Sequence, residues 1–246
     1  MVHATRQSVH APGRPAPAAG IGTAPGTASV SDADAPSGSV ATRLRLLDAA
    51  EELFATKGFE ETSVRELTTL ARCNLAAVNY HFGGKENLYI EMFRRQLSEM
   101  CQRRVAGIQQ AMAQRDASLE SLLRSFVATF LEPLTDIPHC RRLCTLYNCE
   151  MLKPRLPKGM FFDEMIHPTQ RIMQQVFDRF CPKLSPSRRE ICMHSIVGQS
   201  LHVLESRQMY LAAGLDPGPL SQLSQMIDHI VTFSAAGIRA FGGAKS

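Results

Sequence analysis

Long apolar runs and β-strand patterning are both missing from this 246-residue sequence. No stretch approaches the roughly 20 apolar residues that a membrane-spanning helix needs. The N-terminus also lacks the apolar run of a signal peptide. We therefore expect a cytoplasmic protein with no membrane partner. No segment alternates apolar and polar residues with a period of two, and this absence argues against a β-sheet protein.

Motifs of catalysis and metal binding are missing as well. The sequence contains no HExxH, no glycine-rich phosphate loop and no recognisable nucleophile–base pair. Its seven cysteines are odd in number and irregularly spaced, without a CxxC pair. We expect reduced thiols, no structural metal and no cofactor. These absences predict that the chain is not an enzyme.

Excess positive charge is modest. Lys and Arg number 27 against 23 acids, a formal net charge of +4 that does not by itself indicate a nucleic-acid binder. Residues 40–95 contain eight bases and eight acids, but the segment 72–85 contains no acid. Any positive surface must therefore arise from where the charges are placed.

Residues 1–39 are rich in Ala, Pro, Gly, Ser and Thr, with few large apolar residues, and they predict a disordered tail. Beyond them the composition favours helices, which Pro and Gly separate. The predicted longer helices span about 40–57, 85–112, 118–133, 138–152, 162–181, 186–212 and 219–241.

Between the first two long helices, the sequence predicts two short helices joined by a tight turn. Ser63 and Glu66 have the spacing of a capping box at the start of one helix. The turn covers residues 71–74, and Asn74 is the predicted cap of a helix from Leu75 to Phe82. We expect Val78 and Phe82 to point into the core.

The second short helix has the side chains that reading a DNA groove requires. Ala76 and Ala77 are small enough for the backbone to approach the groove floor, and Asn79 suits adenine edges. Tyr80 and His81 suit phosphates, which position a protein on DNA without specifying sequence. The candidate DNA contacts are Arg45, Thr62, Ser63, Arg72, Asn74, Leu75, Ala76, Ala77, Asn79, Tyr80, His81 and Lys85.

Three segments together resemble the N-terminal domain of the TetR/AcrR family of bacterial regulators: LLDAAEELF, KGFEETSVRELTTLA and NYHFGGKENLY. The resemblance covers residues 41–89. NLAAVNYHFG is similar to the subgroup of fatty-acid-responsive and YbiH/CecR-type regulators, and IHPTQRIM and HSIVGQSL are similar to the YbiH-type ligand domain. Two positions depart from the family, which commonly has Gly where Arg72 stands and Ser or a similar cap where Gly84 stands.

The resemblance implies an all-α fold with a three-helix helix-turn-helix DNA-binding domain, at residues 40–89. It implies a larger helical regulatory and dimerisation domain at 90–246. The expected protein is a homodimeric repressor of a near-palindromic double-stranded DNA operator, released by an unknown small-molecule effector. A twofold dimer would place its recognition helices about 34–36 Å apart, one DNA turn.

The effector pocket is the least specified part of this prediction. Its candidate lining residues are Phe126, Phe130, Tyr147, Met151, Met165, Phe177, His194 and His202. Aromatic and Met residues at helical spacing are also what an ordinary core contains, so both interpretations stay open here.

Cys140 and Cys144 carry an alternative, a thiol- or metal-sensing regulator. They stand one helical turn apart beside His139, and Arg141 and Arg142 nearby favour a lowered thiol pKa. The competing interpretation is a pair of ordinary buried thiols.

Overall fold

The computed structural model describes residues 38–242, which form nine α-helices and no β-strand. The all-α fold class is confirmed. None of these helices combines the length and the hydropathy needed to cross a bilayer. The helices are α1 Gly38–Glu61, α2 Val64–Leu70, α3 Ala77–Phe82, α4 Lys85–Met112, α5 Leu119–Leu131, α6 Ile137–Leu152, α7 His167–Phe180, α8 Pro186–Ala212 and α9 Leu223–Gly242.

Helix α1 begins earlier and ends later than its sequence predicts. Gly38 and Ser39 are helical, which corrects the predicted tail boundary; residues 1–37 lie outside the described range. Gly58 interrupts the helix with φ 82° and ψ 168°, a conformation open to glycine, and one more turn follows it. The predicted end at Lys57 therefore marks a kink.

The first hydrophobic core joins α1, α2, α3 and the first half of α4. Three aromatic rings lie at its centre, with Phe54 and Phe59 each 5.2 Å from the ring of Tyr89. The Tyr89 hydroxyl donates to Glu150 of α6 at 3.0 Å, so α6 is tied to this core. Burial and the nearby Glu150 carboxylate raise the Tyr89 pKa. The largest fully buried side chains here are Phe54, Leu46, Leu47, Leu67, Leu88, Met92, Phe93 and Leu97.

The second core lies among α5, α7, α8 and α9, around Phe126, Val176, Ile196 and Ile230. Helix α4 reaches it as well, because Ile108 near its C-terminal end is fully buried there. The 28-residue α4 thus contributes to both cores and connects them physically. The division into domains at residues 40–89 and 90–246 stays a prediction.

Candidate functional site

Helix α2, which leads into the turn before α3, is fixed at both ends by hydrogen bonds. Ser63 accepts from the Glu66 amide at 3.2 Å, and Glu66 accepts from the Ser63 amide at 2.9 Å, which confirms the predicted capping box. At the other end, the Cys73 amide donates to the Thr68 carbonyl at 3.0 Å and the Arg72 amide to that of Thr69 at 3.2 Å. These two bonds form a Schellman motif, which sets the direction in which the chain leaves α2.

Arg72 occupies the left-handed position of that motif. Its φ is +51°, and it is the one non-glycine residue with positive φ in the described part of the chain. Glycine is the usual residue at this position because a Cβ atom strains the left-handed backbone. The departure noted in the sequence therefore falls on the residue that the turn strains most.

Helix α3 begins at Ala77, two residues later than predicted. Ala76 is its N-cap and has no side-chain capping bond, so the expected capping role of Asn74 is wrong. Asn74 instead contributes its carbonyl, which accepts from the Ala77 amide at 3.1 Å in the preceding turn. The side chain of Asn74 is left exposed.

Helix α3 and the turn before it divide into a buried and an exposed side. Val78 is fully buried and Phe82 is 7% exposed, which confirms their inward orientation. Tyr80 is 80% exposed and Leu75 60%, and Ala76 and Asn79 are exposed beside them. These four residues follow the i, i+4 spacing of one helical face, and we call them the α3 outer face.

Ala77 is not part of this face. It is only 7% exposed and packs in the first core, so the expectation that it approaches a groove is corrected. The physical reason is the late start of α3. The backbone of residues 75 and 76 forms a turn, and the chain then enters the helix with the Ala77 side chain turned inward.

Lys85 and Thr62 are engaged inside the protein. The Lys85 ammonium donates to the carbonyls of Phe59 and Thr62, both at 2.9 Å, and lies 4.2 Å from the centre of the Phe59 ring. Thr62 is 1% exposed and donates its hydroxyl to the Gly58 carbonyl at 2.7 Å. Neither side chain is available to a phosphate, which corrects both expectations. Lys85 instead fastens the start of α4 to the end of α1.

Ser63 and Arg45 remain exposed but already have partners. The Ser63 hydroxyl donates to Glu66 at 2.8 Å within the capping box. The Arg45 guanidinium donates to the Ala71 carbonyl and to the Thr42 hydroxyl, both at 2.9 Å. Both side chains therefore stabilise the frame around α2, and a phosphate would compete with these bonds.

The arginines of α2 and of the turn that follows it are Arg65 and Arg72. Both are exposed, and neither forms an ion pair with an acid in residues 38–242. The Lys57 ammonium, by contrast, pairs with Glu66 and holds the pKa of that carboxyl at about 2. His81 is half-buried at the end of α3, with its ring 4.9 Å from that of Tyr80.

A second candidate site is a cavity of about 720 Å³ among α4, α5, α7 and α8. Five of the eight predicted lining residues border it: Phe126, Phe130, Met165, Phe177 and His194. The sequence reasoning missed Arg104, Phe161, Thr169 and Met173, which line it as well. The size is that of a site for a small organic molecule.

Three predicted pocket residues lie elsewhere. Tyr147 packs on Phe93 and Phe161 beside the first core, and burial raises its pKa. Met151 is 82% exposed near the end of α6. His202 is exposed on α8 and shares a hydrogen bond with Ser206. None of the three residues lines the cavity, which corrects these expectations.

Cys140 and Cys144 stand one helical turn apart on α6, where Cys140 is buried and Cys144 packs against the second core. The neighbouring Cys144 thiol lowers the Cys140 pKa to about 7, and the side chains of Gln208 and Arg207 act in the same direction. His139 is not part of this pair, since its Nδ1 lies 3.3 Å from Glu51. Within residues 38–242, no three His, Cys, Asp or Glu side chains are grouped as a metal site.

Two family models match separate parts of the chain. A model described as bacterial regulatory proteins of the tetR family matches residues 46–92, the segment that holds the capping box, the turn and α3. A model of the C-terminal domain of the HTH-type transcriptional dual regulator CecR matches residues 119–238. The chain belongs to the TetR family. As a TetR-family protein it is a transcriptional regulator of the helix-turn-helix class, with a CecR-type C-terminal domain.

A relative that matches over part of its length is named as a helix-turn-helix regulator. The HTH-type transcriptional repressor AcnR of Corynebacterium glutamicum is 34% identical over 74 residues, which are 30% of this chain and 38% of that relative. The alignment thus spans little more than a third of AcnR.

Two solved structures share the TetR-family fold. A TetR family transcription regulator from Marinobacter aquaeolei VT8 has a TM-score of 0.60 at 14% identity, over 78% of this chain and 95% of that one. The transcriptional regulator FadR from Bacillus subtilis, solved in complex with stearoyl-CoA, has a TM-score of 0.57 at 14% identity, over 77% and 97%. At such identities the likeness establishes the fold alone.

Proposed function

We propose that this TetR-family regulator is a cytoplasmic, ligand-responsive repressor rather than an enzyme, and that it binds a near-palindromic operator as a homodimer. The observation that carries the proposal is the α3 outer face, where Asn79 and Tyr80 are exposed while Val78 and Phe82 anchor the opposite side. A short helix held from behind can enter the major groove without losing its position. The exposed arginines of α2 and of the turn before α3, Arg65 and Arg72, are proposed to supply charge for the phosphates.

A gel-shift assay on the DNA flanking the protein's own gene tests this proposal. Asn79→Ala removes a base contact and should weaken binding to the preferred sequence about 5- to 150-fold. Tyr80→Ala removes a phosphate contact and should weaken binding to all sequences alike. Phe162→Ala, a change at a 56% exposed aromatic of the π-helical turn Phe162–Ile166, is the control. Equal binding by all four proteins would refute the proposal.

The homodimer is proposed from an apolar groove along α8 and α9. Phe233 and Phe241 of α9 and Ile191 of α8 are 65%, 55% and 53% exposed along it. Gly237 lies between them with open space where a Cβ would stand, so a second copy can approach closely. Two such helices from each copy would make a four-helix bundle, which buries the exposed rings.

Sedimentation of the full chain tests the dimer. The unmodified protein should sediment at twice its 27.1 kDa chain mass. Phe233→Glu should yield monomers, because the bundle would bury an unpaired charge. Phe162→Glu places the same charge at another exposed aromatic position outside the groove, 56% against 65% exposed for Phe233, and it should leave the dimer intact. A monomeric unmodified chain, or a dimeric Phe233→Glu variant, contradicts the assignment.

Release of DNA is proposed to follow from the contacts that the first part of α4 makes through Glu91 and Arg94, which stand three residues apart and pair with each other. Near the cavity, Arg94 of α4 pairs with Glu164 of the π-helical turn at 3.2 Å. Toward the DNA-binding side, Glu91 of α4 pairs with Arg43 of α1 at 3.0 Å. A ligand that binds one arrangement of α4 more tightly than another would move both ion pairs together. Only the difference in ligand affinity between the two arrangements can drive the release of DNA. The FadR complex with stearoyl-CoA supports a ligand within this fold.

Cys140 and Cys144 favour a second candidate, control by oxidation. Two thiols one helical turn apart, one with its pKa lowered to about 7, supply both sulfur atoms of a disulfide. Closing it requires this turn of α6 to unwind, because Cβ atoms four residues apart in a helix lie about 5–6 Å from each other. Hydrogen peroxide would take the two electrons and two protons and be reduced to water. The double change Cys140→Ser, Cys144→Ser should abolish peroxide-induced DNA release, whereas Cys149→Ser, an exposed thiol of the same helix, should not. Unchanged release in the double variant eliminates this candidate.

A further inference from the structure

A charged side chain without a partner lies inside the molecule. Arg104 of α4 is 3% exposed, and its Nε atom has no hydrogen-bond partner. No ion pair joins it to an acid in residues 38–242. Its neighbour Arg103, by contrast, is exposed and pairs with Glu132 at 3.0 Å. Buried charges in proteins are ordinarily paired, because removing a charge from water is costly.

The surroundings of Arg104 do not neutralise it. Its guanidinium lies 4.6 Å from the ring centre of Phe130 and 5.4 Å from that of Phe126, so two aromatic faces hold it in place. The groups that act on it by charge are Cys101 and Tyr147, and neither is a carboxylate. Burial lowers its pKa to about 10, so the guanidinium remains charged at neutral pH.

This charge borders the cavity of about 720 Å³. The buried wall around it is apolar, with Phe126, Phe177 and Met173 as the main contributors. The exposed residues of the lining include Gln170 and Glu190, which therefore mark its opening to solvent. The site thus has a cation at the buried end and an apolar body.

We propose that the cavity binds an amphipathic organic anion, whose carboxylate or sulfonate head pairs with Arg104 while its apolar body packs on the aromatic wall. The inference rests on the proposed function and names its effector class. An oxyanion accepts two parallel N–H bonds from a guanidinium and supplies the partner that the folded chain lacks. The two aromatic rings hold the guanidinium in position and leave its N–H groups free to bond the oxyanion.

Matched probes test the charge preference on the purified full chain. One pair is dodecanoate and dodecanol; the other is 8-anilinonaphthalene-1-sulfonate and the uncharged N-phenyl-1-naphthylamine. Dissociation constants are measured by calorimetry for the aliphatic pair and by fluorescence for the aromatic pair. In at least one pair, the anion should bind about 10- to 100-fold more tightly than its neutral partner. No preference in either pair overturns the proposal.

Arg104→Met should abolish that preference. It should weaken binding of the anionic probe, while the dissociation constant of the neutral probe stays within threefold of its value for the unmodified protein. Arg103→Met makes the same change one residue away, on the exposed side, and should leave both affinities unchanged. Without ligand, Arg104→Met should melt at the same or a higher temperature, because it removes an unpaired buried charge. If that variant does not fold, Arg104→Gln takes its place with the same expected loss. Undiminished anion preference in the variant overturns the proposal.

Probe binding and DNA binding are measured in separate assays. The effector class and the DNA-binding function can therefore each be refuted without the other. Anion binding that requires Arg104 but leaves the DNA complex intact would uphold the site and count against ligand-induced release. DNA binding by a protein that shows no anion preference would uphold the regulator and overturn the effector class.

Discussion

Replacing Arg72 by glycine should stabilise the protein. Arg72 has φ +51° at the left-handed position of the Schellman motif, where the Arg72 and Cys73 amides bond back to α2. The left-handed conformation costs a residue with a Cβ about 1–2 kcal/mol. Glycine removes that cost but loses about 0.5–1 kcal/mol through the greater freedom of its unfolded chain. The free energy of unfolding should therefore rise by about 0.5–1 kcal/mol.

Arg72→Ala is the matched variant, because it removes the same charged side chain and keeps the strained Cβ. Its free energy of unfolding should stay within about 0.5 kcal/mol of the unmodified protein. The two variants should lose DNA affinity equally if Arg72 contacts a phosphate, since both lack that cation.

Urea unfolding followed by circular dichroism measures the difference, with all three proteins at one concentration and pH. The midpoint should shift for Arg72→Gly while the slope with urea stays the same. In a thermal scan the gain corresponds to about 1–4 °C. An Arg72→Gly protein no more stable than Arg72→Ala would refute the reasoning, because the backbone would then carry no strain for glycine to relieve.

Two further changes probe the neighbouring segments. Gly83→Ala should lower the free energy of unfolding, measured in urea, by about 1–2 kcal/mol. Gly83 ends α3 at φ +75°, and a Cβ there would lie 3.3 Å from the Asn87 side chain. Unchanged stability would refute the left-handed conformation assigned to the end of α3. Glu66→Gln should lower stability near neutral pH because it removes the Lys57 pair. The difference in unfolding free energy between the two proteins should be complete above pH 4.5, the ordinary pKa of a Glu side chain. It should vanish as the pH falls toward about 2, the pKa of Glu66 in the folded protein. A difference that stays constant across this range would contradict the lowered pKa of Glu66.

Local features of the sequence predicted local structure well. The capping box of Ser63 and Glu66 formed, because both partners lie within three residues and no distant contact competes. Val78 and Phe82 were correctly placed inward by helical spacing. The predicted start and end of α4 coincide with Lys85–Met112, where glycines precede the helix.

Long-range contacts account for the corrected DNA candidates. Lys85 looked like a phosphate ligand, but the fold brings the carbonyls of Phe59 and Thr62 to its ammonium, 26 and 23 residues away in sequence. Nothing in the order of residues indicates which acceptors will reach it. Ala77 was misplaced because the start of a short helix depends on the turn before it, and a shift of two residues rotates the side chains.

The sequence could have predicted one residue of the cavity, and it could not exclude two others. Arg104 lies on the same inner stripe of α4 as Leu97, Cys101 and Ile108, at spacings of three and four residues. That periodicity was sufficient to place it inside, although arginines are rarely buried. Tyr147 and His202 could not be excluded from the cavity in this way, since their positions depend on how α6 and α8 pack on other helices.

Selection of binding sites from a pool of random duplex DNA tests the central claim most directly. The claim is that the α3 outer face reads bases. The unmodified chain should enrich a near-palindromic sequence with half-sites about one helical turn apart. Asn79→Ala should lose the base preference at one position of each half-site while still binding DNA. Enrichment of the same sequence by the variant, or of no sequence by the unmodified chain, would contradict the account.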